Sequence, residues 1–146
     1  MNAKLDFPYS GSWLDALPEP ALLMDPMQDR ILEVNERLQQ LLGVSTRHPL
    51  ETRRVTELFS GQVPQLIVLT DEAMLSGQAW SRNLTVARSD GAVVPLELSL
   101  ARTDDARGSP RILMLLRDLE TLRERRERHE INTYHQGGLL HWQRIE

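Results

Sequence analysis

The chain has 146 residues and no cysteine. That excludes disulfides, thiolate nucleophiles, zinc–cysteine centres and iron–sulfur clusters, and it suits a cytoplasmic protein. An excess of one charge sign is lacking as well. The 17 basic and 21 acidic residues are mixed along the chain and leave a net charge of −4. No broad basic footprint results, so direct contact with nucleic acid is not expected. Long apolar runs are also missing. The segment from Met1 to Trp13 has no apolar core of signal-peptide length, and no stretch approaches a membrane span, so no membrane partner is expected. There is no Walker loop, nucleophile elbow or dinucleotide glycine pattern. His129, His135 and His141 recur every six residues, a spacing that does not keep them on one helix face. Neither catalytic residues nor a metal site are expected.

What is present centres on Trp80 to Thr121, which reads as three strands and two turns running into a charged helix. Ser89-Asp90-Gly91 separates two strand-like runs, a strong hairpin signal because Gly accepts positive φ. Thr103 to Pro110 reads as a longer, polar second turn. Between the turns, Val94, Leu96, Leu98 and Leu100 alternate with Pro95, Glu97 and Ser99, which predicts one buried and one partly wet face. The same rule puts Leu84 and Val86 on one face with Trp80, and Asn83 and Thr85 opposite. Arg111 to Asp118 is apolar on both faces. Ile112, Met114 and Leu116 suit the core. Leu113 and Leu115 then need cover, from a second subunit, a terminal helix or the rest of one domain.

At this length the chain holds one domain plus flanking segments. Residues 1–11 read as a flexible segment, 12–121 as the domain, and 122–146 as an output helix and linker towards a further module. Trp13 to Leu17 predicts a short helix, capped by Ser12 and stopped by Pro18 and Pro20. Ala21 to Asp25 and Arg30 to Val34 predict a hairpin. Asn35 is a strong N-cap for a helix carrying Leu38, Leu41 and Leu42 that Gly43 closes. Short helical turns anchored by Val55, Leu58 and Phe59 follow. Gln62 to Gly77 predicts a longer helix. After Asp118, Glu and Arg alternate in a pattern that supports a solvated helix. The class is α+β: a five-stranded antiparallel sheet with helices on one face and a C-terminal output helix.

That order, with its local signals, resembles the PAS domain family over Trp13 to Thr121. WLDALPEPALLMD resembles the family's short helix and first strand. RILEVNERLQQLLG resembles its second strand, the Asn that opens the next helix, and the closing Leu-Gly. LSGQAW resembles Gly-x-x-Trp before the third strand, and ARSDGAVVPLELSL the hairpin that follows it. RDLET resembles the Asp-Ile-Thr element where the last strand meets the output helix, although here two residues, not one, separate Asp118 from Thr121.

The resemblance implies a cytoplasmic sensor and dimerisation module upstream of a histidine kinase, a cyclic-dinucleotide enzyme or an enhancer-binding transcription activator. The expected partners are a second copy of the chain and a downstream effector domain, as in two-component systems and transcription regulation. Without cysteine, the covalent chemistry of the family's flavin-binding photosensors is excluded. Without His between Gln62 and Gly77, axial haem ligation from that helix is excluded. No cofactor is predicted, while a non-covalent flavin or another small organic ligand remains compatible with an apolar pocket. Its candidate lining is Leu66, Leu69, Trp80, Leu84, Leu98 and Met114, with Asn83 or Arg82 as polar contacts. The alternative is that these residues simply pack together. Candidate dimer and signal residues are Trp13, Leu17, Leu113, Leu115, Asp118 and Thr121. A ligand-free interaction scaffold and a small enzyme of similar fold are the alternative functions. His129-Glu130 resembles a phospho-accepting pair, but Ile131-Asn132-Thr133 does not continue that motif.

Overall fold

A computed structural model describes residues 13–45 and 48–137, with backbone alone at His48, Pro49 and 129–137. The flexible segment expected over 1–11, the Ser12 cap and the end of the linker lie outside the described residues. A short 3-10 helix, Trp13–Ala16, leads into β1 (Ala21–Asp25) and β2 (Arg30–Val34). Then come α1 (Glu36–Leu42), α2 (His48–Glu51), α3 (Val55–Leu58) and α4 (Val63–Ser76). The chain continues as β3 (Gln78–Ala87), β4 (Val93–Asp104), β5 (Pro110–Asp118) and α5 (Leu119–Gly137). The five strands are antiparallel and lie in the order β2-β1-β5-β4-β3.

Alternation decides which face is dry. Val94, Leu96, Leu98 and Leu100 on β4, with Ile112, Met114 and Leu116 on β5, are buried against Leu38, Leu50, Phe59, Leu66 and Leu69 from the helices. Each aliphatic side chain so buried contributes roughly 1.5–3 kcal/mol.

Asn35 joins the first elements. Its Oδ1 accepts from the N–H of Leu38, which caps α1, and from the N–H of Ala21, both at 3.0 Å. Its Nδ2 donates to the carbonyls of Leu14 at 3.1 Å and Glu19 at 2.7 Å. A fully buried amide is thereby satisfied on both sides.

Pro95 sits inside β4, where a proline removes a ladder donor. Thr85, its partner on β3, directs its main-chain N–H and carbonyl away from β4, to Gln62 at 2.8 and 2.9 Å. The missing N–H of Pro95 therefore points towards β5, whose pairing with β4 ends at Leu96 and Asp118. No ladder bond is lost there.

Two sequence expectations are corrected. The second turn is shorter than expected, Asp105 to Ser109, because Arg102, Thr103 and Asp104 pair with Ile112, Arg111 and Pro110. Trp80 does not share a face with Leu84 and Val86. A bulge sets Ser81 opposite Leu98 but Leu84 opposite Leu96, so one extra residue enters β3 and the alternation changes phase. Ala79 takes the inner position, and Trp80 turns outwards, 65% exposed.

Candidate functional site

Three places were candidates: the interior, the outer face of the sheet, and the joint with α5. In the interior, Leu66, Leu69, Leu84, Leu98 and Met114 come together in one buried cluster. They pack against neighbours, and none of them lines the grooves described below. Trp80 and Asn83 are not part of that cluster. Asn83 is exposed on the β3 bulge, and Trp80 is on the opposite face of the sheet.

The outer face carries an open groove of about 680 Å³ whose lining includes Trp80, Arg82, Glu97, Ser99, Leu113 and Leu115. Register explains the grouping. Trp80 pairs with Ser99, Ser99 with Leu115, and Leu115 with Ala21, so these side chains form one row across the sheet. Leu113 pairs with Ala101 and Leu23 in the next row. Leu113 and Leu115 are thus half-buried and face away from the helical core.

Charged contacts line one side of the groove. Glu19 accepts from Arg117 Nε at 2.5 Å, and Arg117 Nη1 reaches Ser99 Oγ at 2.9 Å and Glu97 at 3.4 Å. Glu97 also accepts from Arg82 Nε at 2.8 Å, and the Arg82 guanidinium lies 5.7 Å from the centroid of the Trp80 ring. The chain of contacts crosses β5, β4 and β3 and ends on the exposed indole. Such half-exposed pairs contribute little individually, but they fix the ring's surroundings. Sequence reading missed this network. Its trace was there, as opposite charges on the wet positions Glu97 and Arg117.

At the joint, β5 ends at Asp118 and α5 begins with Leu119, without a linker. Asp118 Oδ1 accepts from the N–H groups of Glu120 at 2.9 Å and Thr121 at 3.4 Å, so the carboxylate caps the exit helix. Thr121 and Leu122 are half-buried, and residues 123–128 are exposed. In the 3-10 helix and just after it, Trp13 and Leu17 are half-buried, while Leu14 between them is in the core.

Asp105 has a shifted carboxylate. Hydrogen bonds from the main-chain N–H of Ser109 and of Arg107 hold its pKa below the ordinary value, helped by the charge of Arg111. It lies in the β4–β5 turn and does not line the groove. Among the described residues no group of His, Asp and Glu has the arrangement of a metal site. No helix among them is long and apolar enough to cross a membrane.

The sheet order, the one-sided helical core and the capped exit helix define a PAS-like α+β module. The family model described as "PAS domain" matches residues 18–121, and the chain belongs to that family. Three solved structures illustrate the likeness. A PAS domain from a two-component sensor histidine kinase has a TM-score of 0.63 at 14% identity, covering 80% of this chain and 99% of the other. A PAS domain of a LuxR-family transcriptional regulator from Burkholderia thailandensis, in complex with ethanol, has a TM-score of 0.60 at 14% identity, covering 73% and 94%. A light-oxygen-voltage domain studied with a flavin analogue has a TM-score of 0.59 at 18% identity, covering 82% and 91%. At such identities the likeness concerns the fold. No curated protein matches the chain. PAS domains are generally sensory, non-enzymatic modules, and the family match puts the chain in that class.

Proposed function

We propose that this domain is a regulatory sensor and dimerisation module that passes a signal through α5 to a downstream effector, a kinase or a transcription activator. The carrying observation is the continuity of β5. Leu113 and Leu115 line the outer groove, and the same strand ends at Asp118, the cap of α5. A partner that moves on the groove therefore acts on the strand that aims the helix. The proposed partner on that face is a second copy of the chain, seated on Leu113, Leu115 and Trp80. Sedimentation of the wild type and of Leu115→Asp and Trp80→Ala tests it. A wild-type dimer that both variants shift to monomer, with unchanged far-UV circular dichroism, is expected. A wild type that stays monomeric at high concentration overturns the dimer.

The tight interior favours a second reading, a ligand-free interaction scaffold. Leu66, Leu84, Leu98 and Met114, expected to line a ligand pocket, pack together in one buried cluster. Native mass spectrometry separates the two: a co-purifying small molecule supports sensing by ligand, and its absence supports the scaffold.

A further inference from the structure

A second groove, of about 270 Å³, lies between α1 and the first turns of α5, next to the cap of the exit helix. Arg37 and Gln40 line it from α1, Thr121 and Arg125 from α5, and Leu41 and Leu122 give it apolar surface. Its other charges are already committed. Arg117 is bound by Glu19, Glu97 and Ser99, and Asp118 caps α5. In the first turn of α1 the N–H groups of Glu36 and Leu38 are taken by Asp15 and Asn35. Arg37 and Arg125 are the lining residues whose guanidinium groups have no ion pair among the described residues. Arg37 is in the first turn of α1, where the helix dipole disfavours a cation, so its charge is not there to stabilise the helix. The packing of α5 is against β4 and β5, with no comparable contact to α1.

We propose that this groove is a binding site for a small phosphate monoester, clamped between Arg37 and Arg125, which ties the exit helix to α1. A phosphate monoester presents three oxygens and close to two charges, enough to serve two guanidinium forks at once, whereas a monocarboxylate serves one. The apolar lining from Leu41 and Leu122, beside Pro18 and Pro20, suits a small organic group on the ester. The binding rests on this geometry alone. Its consequence for signalling rests on the reading of α5 as the output helix.

Calorimetric titration with phenyl phosphate and with inorganic phosphate, at constant ionic strength set by sodium chloride, tests the site. Saturable one-to-one binding is expected, with phenyl phosphate about tenfold tighter because its ring buries apolar surface. R37Q and R125Q should each weaken it by about tenfold or more. R128Q, on an exposed part of α5 outside the groove, should leave it unchanged. Amide exchange over 121–128 should slow on binding in the wild type and not in R37Q. No saturable binding at millimolar ligand, equal affinity in R37Q, R125Q and wild type, or benzoate binding as tightly as phenyl phosphate would each overturn the proposal. These readouts do not depend on dimerisation, so a monomeric wild type that still binds phenyl phosphate refutes the dimer and leaves this site standing.

Discussion

The hydroxyl of Ser89, in the β3–β4 hairpin, donates to the carbonyl of Gly43 at the end of α1 at 2.7 Å. The hairpin completes the helix end at two further points. Ser89 N–H donates to the Leu42 carbonyl at 2.8 Å, and Arg88 Nη1 to the Leu41 carbonyl at 2.6 Å. Three carbonyls that a helix C-terminus leaves open are thus met by a turn more than forty residues away. The Gly43 position admits little else. Its φ is +74°, and a Cβ there would come within 2.7 Å of Ser89 Oγ. Gly43→Ala should cost about 2 kcal/mol in urea unfolding, part from the left-handed backbone and part from the clash. In a Ser89→Ala background the clash disappears, and the same substitution should cost only about 1 kcal/mol. Equal costs in both backgrounds would show that the Ser89 hydroxyl does not crowd the Gly43 position.

Asn35 gives a sharper chemical test. On an isolated helix Asp caps as well as Asn. Here Asn35 Nδ2 faces the carbonyls of Leu14 and Glu19, at 3.1 and 2.7 Å. Asn35→Asp keeps the acceptor but sets a carboxylate oxygen against two carbonyls in a buried site. Asn35→Ala loses all four bonds. Both should destabilise by about 2–3 kcal/mol or more, measured by thermal or urea unfolding. An Asp variant as stable as the wild type would mean that the link between the 3-10 helix and α1 is not made through the amide.

Sequence periodicity read most of this fold because most strands keep a strict period of two. Val94 to Leu100 and Ile112 to Leu116 face inwards as their alternation requires. Asn35 and Gly43 bound α1 as their cap chemistry requires. Parity failed at β3, since nothing in Ser81-Arg82-Asn83 distinguishes a bulge from three regular strand residues. One inserted residue then moved Trp80 from the expected pocket to the outer groove. The apolar residues of α4 leave its buried side open in a related way. Val63 to Leu75 reads apolar on several sides, yet Leu66, Leu69 and Ala73 are buried while Leu75 is 89% exposed. Which side of such a helix meets the sheet is set by tertiary packing, beyond the reach of local pattern.

The bulge can be weighed by two substitutions on one strand. Leu84 is 1% exposed and Trp80 is 65% exposed. Leu84→Ala should cost about 3 kcal/mol, through lost burial and the cavity left behind. Trp80→Ala removes a much larger side chain but should cost less than about 1 kcal/mol in the monomer, most of it the contact with Arg82. Urea unfolding of the two variants checks the order. A Trp80 variant less stable than the Leu84 variant would restore the uninterrupted alternation and put the indole back in the core.

The β4–β5 turn should be sensitive to acid in a predictable direction. Asp105 Oδ1 accepts from the N–H groups of Arg107 at 2.8 Å and Ser109 at 2.9 Å, and its Oδ2 lies 3.2 Å from Arg111 Nη2. All three interactions favour the charged carboxylate and lower its pKa in the folded chain, with the Ser109 bond foremost. A group depressed on folding contributes its stabilisation in full above its unfolded pKa. That contribution fades as pH falls through the lower folded value. Asp105 should therefore titrate below the ordinary carboxylate range in a carbon-detected NMR titration. Amide exchange at Arg107 and Ser109 should rise only once pH has dropped beneath that range. Asp105→Ala should give the same fast exchange already at neutral pH and remove its acid dependence. A normal Asp105 titration, or exchange unaffected by the substitution, would mean that the turn is held by Arg111 and the strand ends rather than by this carboxylate.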